Sequence, residues 1–572
     1  MSFGKTLSVL YRKYPLLRIG SVIAGTVLAI VLVSFITLET KKSPEITSIS
    51  PAVGSAGEIM TIRGENFGTE RDTSSFVEIG GSRLTANGYV SWNDTQIRIV
   101  LPQNVQDGLV IVSTKNGRSK PGFFANVADI PVEVPPDTQT SLPVITSVSP
   151  LTGSYGTLLT ISGSNFGTIR GNSDVYFTAN RDDASQAALT TATANNQGEL
   201  NVQFIPANEN NYDYEYWSDS EIRVRIPDGA ANGPFYVQTE KGTSNYLQTE
   251  INLPAGTKSY TGRRTYVLNV SADIEGLDSK SATSLTLRVP RPVITARQPM
   301  ADLTECKPQP VIADYKNTII HQVELARANN RKITFSQDFV VAVYAVQTTV
   351  EARKIRPFAE KKRALYLSAT QQDNLIRSKE ESVVAAAKEI VGKETNPYLQ
   401  AKALYDYMLA HYDLPAKLRQ ENKSPLDMLR TERGDAYDFA ILYTTLLRSL
   451  GIPSLPVSGI LVDADLHAQP HWWTEFYIEQ FGWIPVDVAL AKGMHYKAFK
   501  QIEDAAAFYF GNLDSQHIAF SRGWNEVKPA LVNSKIVQRP KSYAFQSIWE
   551  ESSAGKVNYS ILWNDPVVKG IY

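Results

Sequence analysis

Cysteine is almost absent from this chain: Cys306 is the single one in 572 residues, so no intrachain disulfide can form. Net charge is nearly absent too, because 57 Lys and Arg oppose 58 Asp and Glu. Without a basic excess or a basic stripe the chain lacks the footprint that phosphate backbones demand, and no nucleic acid is expected as partner. Beyond residue 38 no apolar run is long enough to cross a bilayer. Metal-ligand spacing is missing as well. Asp463, Asp465, His467 and His471 fall close together without a ligand pattern, so neither a metal nor another cofactor is expected. The apolar fraction of 43% is that of a globular chain, and the length implies roughly three to five domains.

One long uncharged run does exist. Residues 19–38 carry no charged side chain, while Lys5, Arg12, Lys13 and Arg18 precede them. As a helix, about 20 residues span about 30 Å, the thickness of a hydrocarbon core. The expected layout is a cytoplasmic tail at 1–18, a transmembrane helix at 19–38, and the bulk in the periplasm or outside the cell. A cleaved signal peptide is the alternative, but the run is long for one and lacks a small-residue cleavage pattern.

An internal repeat follows. Pro44 to Pro51 (Pro-Glu-Ile-Thr-Ser-Ile-Ser-Pro) is echoed by Pro143 to Pro150 (Pro-Val-Ile-Thr-Ser-Val-Ser-Pro). Gly64-Glu65-Asn66-Phe67-Gly68 is echoed by Gly163-Ser164-Asn165-Phe166-Gly167, and Trp92-Asn93-Asp94 by Trp217-Ser218-Asp219. Short alternating runs separated by Gly, Asn and Pro read as strands of a β-sandwich. The repeat resembles the immunoglobulin-like IPT/TIG fold over residues 43–127 and 143–252. Residues 180–214, rich in Asn, Asp and Tyr, read as a loop insertion. Residues 130–141, rich in Pro, read as a stiff linker. Strand patterning continues over 257–358, expected as a further β-sandwich domain.

Near residue 366 the period changes. Residues 380–393, 398–412 and 436–450 have helical spacing, and strands are expected at 455–462, 472–479 and 483–488. Arg433-Gly434-Asp435-Ala436-Tyr437-Asp438, then His471-Trp472-Trp473-Thr474-Glu475, then Gly482-Trp483-Ile484-Pro485-Val486-Asp487 stand in that order. These blocks resemble the core of the transglutaminase-like superfamily, implying an α+β, papain-like fold over residues 364–572, core plus C-terminal extension. The family's triad is Cys, His and Asp. The matching residues are Ala436, His471 and Asp487, and a methyl group cannot form a covalent intermediate. Gly434, Trp472, Trp473, Glu475 and Trp483 are expected to line or support the groove. Asp435 and Asp438 are expected to cap the helix, and Cys306 is expected to be a passive thiol.

The uncharged run and the resemblance together imply a multidomain, membrane-anchored pseudoenzyme. It would bind or scaffold a protein or cell-wall peptide outside the cytoplasm, its triad vestigial. The alternatives are an active acyl-transfer or peptidase enzyme with an unrecognised nucleophile, and a surface adhesion module built on the IPT/TIG domains. Protease added to intact spheroplasts is expected to digest the C-terminal domains while the protein fractionates with membranes. Full protection would contradict this topology.

Overall fold

In the computed structural model the described residues are 26–27, 42–102, 105–126, 141–181, 203–279, 283–325, 328–415, 424–524, 534–539, 541–545, 549–553 and 557–572. The expected transmembrane helix at 19–38 lies outside them, save Thr26 and Val27, as does most of the linker. No helix among the described residues is long and apolar enough to cross a membrane. The chain forms two compact units, one within Met1–Val132 and one beginning at Glu133.

The first unit holds the first sandwich. One sheet runs Glu45–Ser50, Ile59–Glu65, Gln96–Val100, Tyr89–Trp92, and the other Val53–Gly54, Gly122–Asn126, Gly108–Thr114, Phe76–Ile79, Ser82–Arg83. The second sandwich, in the second unit, repeats this order strand for strand. The repeated motifs do the same job in both. Asn66 and Asn165 each take φ 62°, a left-handed conformation that Asn tolerates. That turn drives Phe67 and Phe166 into the cores at 1% exposure each. Trp92 Nε1 donates to Phe67 O at 3.0 Å, and Trp217 Nε1 to Phe166 O at 3.1 Å. Asp94 and Asp219 accept from the Gly68 and Gly167 amides at 2.9 and 3.0 Å. The Trp-x-Asp block therefore clamps the Asn-Phe-Gly turn. Not all of 180–214 is loop: Phe204–Pro206 pairs with Asp174–Ala179.

The next domain has strands β1 (Gly256–Ser279), β2 (Thr283–Pro290), β3 (Met300–Lys307), β4 (Thr318–Leu325) and β5 (Ala328–Val350). The core follows, with helices α1 (Glu381–Val391), α2 (Pro397–His411) and α3 (Ala436–Ser449), and strands β6 (Ser454–Val462), β7 (Ala468–Ile478), β8 (Gly482–Val486) and β9 (His517–Arg522). The chain then returns to the preceding domain as β10 (Ser534–Gln538), β11 (Trp549–Ser553), β12 (Val557–Trp563) and β13 (Val567–Ile571). The β-domain sheets run β3-β5-β1-β12, with β13 also on β1, and β4-β2-β11-β10. This corrects the grouping of the C-terminal extension with the core at 364–572. The alternating pattern of β12 suits an edge strand, and the open edge it completes is that of β1, residues Ala272 to Ser279.

The core sheet is antiparallel, in the order β8-β7-β6-β9. Helix α3 lies on it and is buried on every side from Ala436 to Arg448. Its apolar residues Phe439, Leu442, Tyr443 and Leu446 pack with Val383 and Ala387 of α1, Leu404 and Met408 of α2, and Phe476 and Ile484 of the sheet. A buried helix must satisfy its polar side chains locally. Thr444 and Thr445 donate to the Ala440 and Ile441 carbonyls, and Arg448 pairs with Asp373 at 2.8 Å.

One ion pair joins three domains of the second unit. Lys258 Nζ of β1 donates to Asp228 Oδ1 and Oδ2 of the second sandwich at 2.7 and 2.6 Å, and to Trp483 O of the core at 2.5 Å. Asp228 also accepts from Tyr260 OH at 2.9 Å and Trp483 N at 2.7 Å. Burial pushes the Lys258 ammonium below its usual range against the pull of Asp228. Removing one partner of such a pair strands the other charge. Lys258→Ala is therefore expected to destabilise the second unit by roughly 3–5 kcal/mol, read from denaturant midpoints. An unchanged midpoint would contradict the role of this junction.

Candidate functional site

Helix α3 begins at the position of the expected nucleophile. Asp435 is its N-cap: Asp435 Oδ1 accepts from Asp438 N at 3.2 Å, and Asp438 Oδ2 accepts from Asp435 N at 3.1 Å. This reciprocal box satisfies two of the donors that a helix start leaves open. Gly434 precedes it, and not for a left-handed turn. A Cβ at Gly434 would lie 2.4 Å from Met428 Sδ and 2.7 Å from Asp438 Cβ, so a side chain there would displace the cap. Ala436 follows as the first helical residue, 3% exposed.

His471 and Asp487 come together as expected. His471 Nε2 lies 2.5 Å from Asp487 Oδ2, and both side chains are fully buried. Asp487 Oδ1 accepts from Leu490 N at 2.9 Å, capping the short helix Val488–Ala491. Beyond Asp487 stands a residue that was not assigned to the site, His517 of β9. Its Nε2 lies 3.1 Å from Asp487 Oδ2 and its Nδ1 2.7 Å from Asp514 Oδ1. The Tyr496 and Tyr509 hydroxyls donate to Asp514 Oδ2 at 2.9 and 3.0 Å. The result is a buried chain running from a tyrosine pair through Asp514, His517 and Asp487 to His471.

Both nitrogens of His517 face carboxylate oxygens, and a carboxylate can only accept. This geometry favours the imidazolium form of His517. Burial works against its charge, but Asp514 and Asp487 outweigh burial and hold its pKa above the ordinary value. Burial likewise works against both carboxylates, and the histidines outweigh it, holding Asp487 and Asp514 well below the usual range. His471 then donates from Nε2 to Asp487. Its Nδ1, the one nitrogen left to accept a proton from a nucleophile, is buried without a hydrogen-bond partner among the described residues. His471, Asp487 and His517 offer ligand atoms within 4.8 Å of one another. Their charges are already balanced by protons, and a cation would have to displace these.

Apolar side chains surround Ala436. Trp472, 1% exposed, meets the Tyr437 ring at 5.5 Å and 81°. With Ala436, Ala440, Ile441 and Phe545 it forms one cluster. Phe545 comes from Lys541–Phe545, which lies between the paired strands β10 and β11 and reaches the helix start. Lys541 pairs with Asp435, its ammonium 5.7 Å from the Tyr437 ring centre. Phe545 N donates to Ser521 Oγ at 3.2 Å, and Tyr543, Ala544 and Phe545 are all buried. Strand alternation puts Trp473 on the opposite face of β7 from Trp472, in a second apolar cluster with Val457 and Leu461. Both indoles are interior, so neither lines an open groove.

Glu475 and Trp483 sit at the domain junction instead. Arg522 Nε donates to Glu475 Oε2 at 2.6 Å, its guanidinium lies 4.3 Å over Trp483, and its NH1 reaches Asn211 Oδ1 of the second sandwich at 2.7 Å. Cys306 lies in β3, its Sγ 3.9 Å from His321 Nε2, and burial raises its pKa, the reverse of what a thiolate nucleophile needs. Asp463 spends its Oδ1 on the Asp465 and His467 amides, both at 2.9 Å, and Asp465 pairs with Lys497.

The buried charges predict a stability maximum. Asp487 and Asp514, ordinarily near 3.8 and depressed here, stabilise the fold above that value and lose the contribution as pH falls through their folded values. His517, ordinarily near 6.5 and raised here, stabilises it below that value and loses the contribution as pH rises through its folded value. Urea midpoints followed across pH are expected to peak between these limits. His517→Gln should lessen the fall that begins above about pH 6.5, and a variant that shows the same fall as the parent there would contradict the assignment.

The transglutaminase-like superfamily matches residues 384–488, and the IPT/TIG domain matches residues 44–127 and 143–253. An uncharacterised protein of Haemophilus influenzae is 24% identical over 162 residues, 23% of this chain and 44% of that one. A cyclomaltodextrin glucanotransferase of Paenibacillus macerans is 42% identical over 73 residues, 13% of this chain and 10% of the enzyme. The chain thus spans less than half the length of these curated relatives. Among solved structures, a cysteine-protease-type protein from Cytophaga hutchinsonii aligns with TM-score 0.34 and 14% identity over 55% of this chain and 91% of that one. The periplasmic domain of TgpA from Pseudomonas aeruginosa aligns with TM-score 0.22 and 15% identity, over 40% and 86%. The chain carries a transglutaminase-like core at residues 384–488 and two IPT/TIG domains at residues 44–127 and 143–253.

Proposed function

We propose that this protein is a transglutaminase-like pseudoenzyme that serves as an extracytoplasmic scaffold, held to the membrane by residues 19–38. One observation carries the non-catalytic reading. At the helix start the expected nucleophile is replaced by a buried alanine, and the space beside it is filled by Trp472 and Phe545. Meanwhile His471 Nδ1 is buried without a hydrogen-bond partner among the described residues. Acyl transfer needs a nucleophile beside its base and room for an acyl group; alanine offers no nucleophile, and the packing of Trp472 and Phe545 against it supports a closed site. The remaining relay is tied into the fold by hydrogen bonds, which suits a structural role.

A partner, a protein or cell-wall peptide, then meets the outer faces of the second unit rather than the closed helix start. The uncharged run with basic residues before it supports the anchor, and the balanced charge supports a partner other than nucleic acid.

The test is direct. The protein and its His471→Ala variant are both expected to show no incorporation of a fluorescent amine into casein and no cleavage of casein. Turnover that disappears with His471→Ala would overturn the reading. Ala436→Cys is expected to alkylate slowly with iodoacetamide, because the site is closed. Adding Phe545→Ala should speed that alkylation about tenfold or more, since access and thiolate character govern cysteine reactivity. Equal rates in the two cysteine variants would show that Lys541–Phe545 does not cover the site.

A further inference from the structure

The two IPT/TIG copies share strand order, turn clamps and cores, so a difference between equivalent faces is not demanded by the fold. Such a difference exists on the outer face of the larger sheet. In the second copy Tyr176 stands opposite Tyr236 in register, and their rings stack with centroids 5.1 Å apart and planes 9° apart. Phe204 meets Tyr236 edge-on at 4.9 Å, and Tyr246 meets it at 5.3 Å and 67°. Tyr176, Phe204 and Tyr236 are half-buried, and Tyr246 is 46% exposed.

In the first copy the pair equivalent to Tyr176 and Tyr236 is Glu78 and Ile111. Glu78 there is buried under an ion pair with Arg118. The position of Tyr246, two residues beyond the serine whose amide donates to Val237 O, is taken in the first copy by Pro121. The first sandwich therefore folds with none of these rings.

The surroundings define the ligand. Gln238, Thr243 and Gln248 border the rings, and Thr243 Oγ1 donates to Gln238 Oε1 at 2.5 Å. The nearby Asp174 carboxylate is paired with Arg170 at 3.0 Å. The patch thus joins aromatic rings, phenol hydroxyls and neutral amides, with no unbalanced charge among the described residues named here. A polyanion would need cations here. Tyrosine, with an apolar face and a polar tip, suits a ligand that offers C–H faces and neutral hydroxyls together. That chemistry is a sugar ring.

We propose that Tyr176, Tyr236, Phe204 and Tyr246 form a stacking platform that binds a neutral oligosaccharide on the second IPT/TIG domain. It is independent of the closed transglutaminase-like site. The full chain would be titrated calorimetrically with maltoheptaose, cellohexaose and chitohexaose. At least one is expected to bind with a dissociation constant below about 1 mM. Tyr246→Ala should weaken binding about 5- to 10-fold, as the loss of one aromatic contact implies, and Tyr246→Phe should restore most of it. Phe123→Ala, an exposed ring of the first copy, should have no effect. Binding by none of the three sugars at this level would overturn the proposal, as would binding that Tyr246→Ala leaves unchanged.

Discussion

The core depends on how one buried carboxylate is satisfied. Asp487 is inaccessible to solvent and accepts from His471, His517 and the Leu490 amide. An unpaired charge at that depth would cost several kcal/mol, so each partner is held in place by what the carboxylate requires. His471 anchors β7, His517 anchors β9, and the Leu490 amide fixes the turn that follows β8. Three of the four core strands thus meet at one pair of oxygens. An arrangement suited to orienting a general base serves here to hold the sheet together. With alanine at the start of α3, this constraint stands intact.

The same economy appears elsewhere in the motif blocks. Glu475 and Trp483 receive Arg522, Asp228 and Lys258, which join the core to the second sandwich and the β-domain. The C-terminal strands close the circuit. After leaving the core at β9 the chain enters the β-domain as β10, meets the start of α3 through Phe545, and then adds β11, β12 and β13 to the β-domain sheets. Covering the helix start falls to the connection between the paired strands β10 and β11, so opening the site would disturb that connection.

Much of this was legible in the sequence because it is local. Helices α1 to α3 announce themselves by 3.6-residue apolar spacing, and their observed limits, Glu381–Val391, Pro397–His411 and Ala436–Ser449, fall within a few residues of the expected ones. The sandwiches are readable because Asn66 and Gly68 meet a backbone requirement that recurs at Asn165 and Gly167. What was missed is non-local. The alternation of β12 marks a strand, but nothing in Val557 to Trp563 says that its partner is β1, nearly the whole β-domain and core away in sequence. His517 stands three residues after Asp514, a spacing visible in the sequence. Its charge, however, arises only when Asp487 arrives from another strand. The sequence marks Gly434 as a residue that lines or supports the groove, whereas the crowding by Met428 that explains it exists only in the folded protein.

We propose that the relay from Asp514 through His517 and Asp487 to His471 serves as a fixed structural network, with its protons in place. Long-range proton–nitrogen correlation spectra of protein labelled with nitrogen-15 in histidine read those protons directly. At about pH 7, just above the ordinary histidine pKa, His517 is expected to carry protons on both ring nitrogens. His471 is expected to carry a proton on Nε2, the nitrogen that faces Asp487. A neutral His517, or a His471 proton on Nδ1 with Nε2 bare, would contradict this proposal.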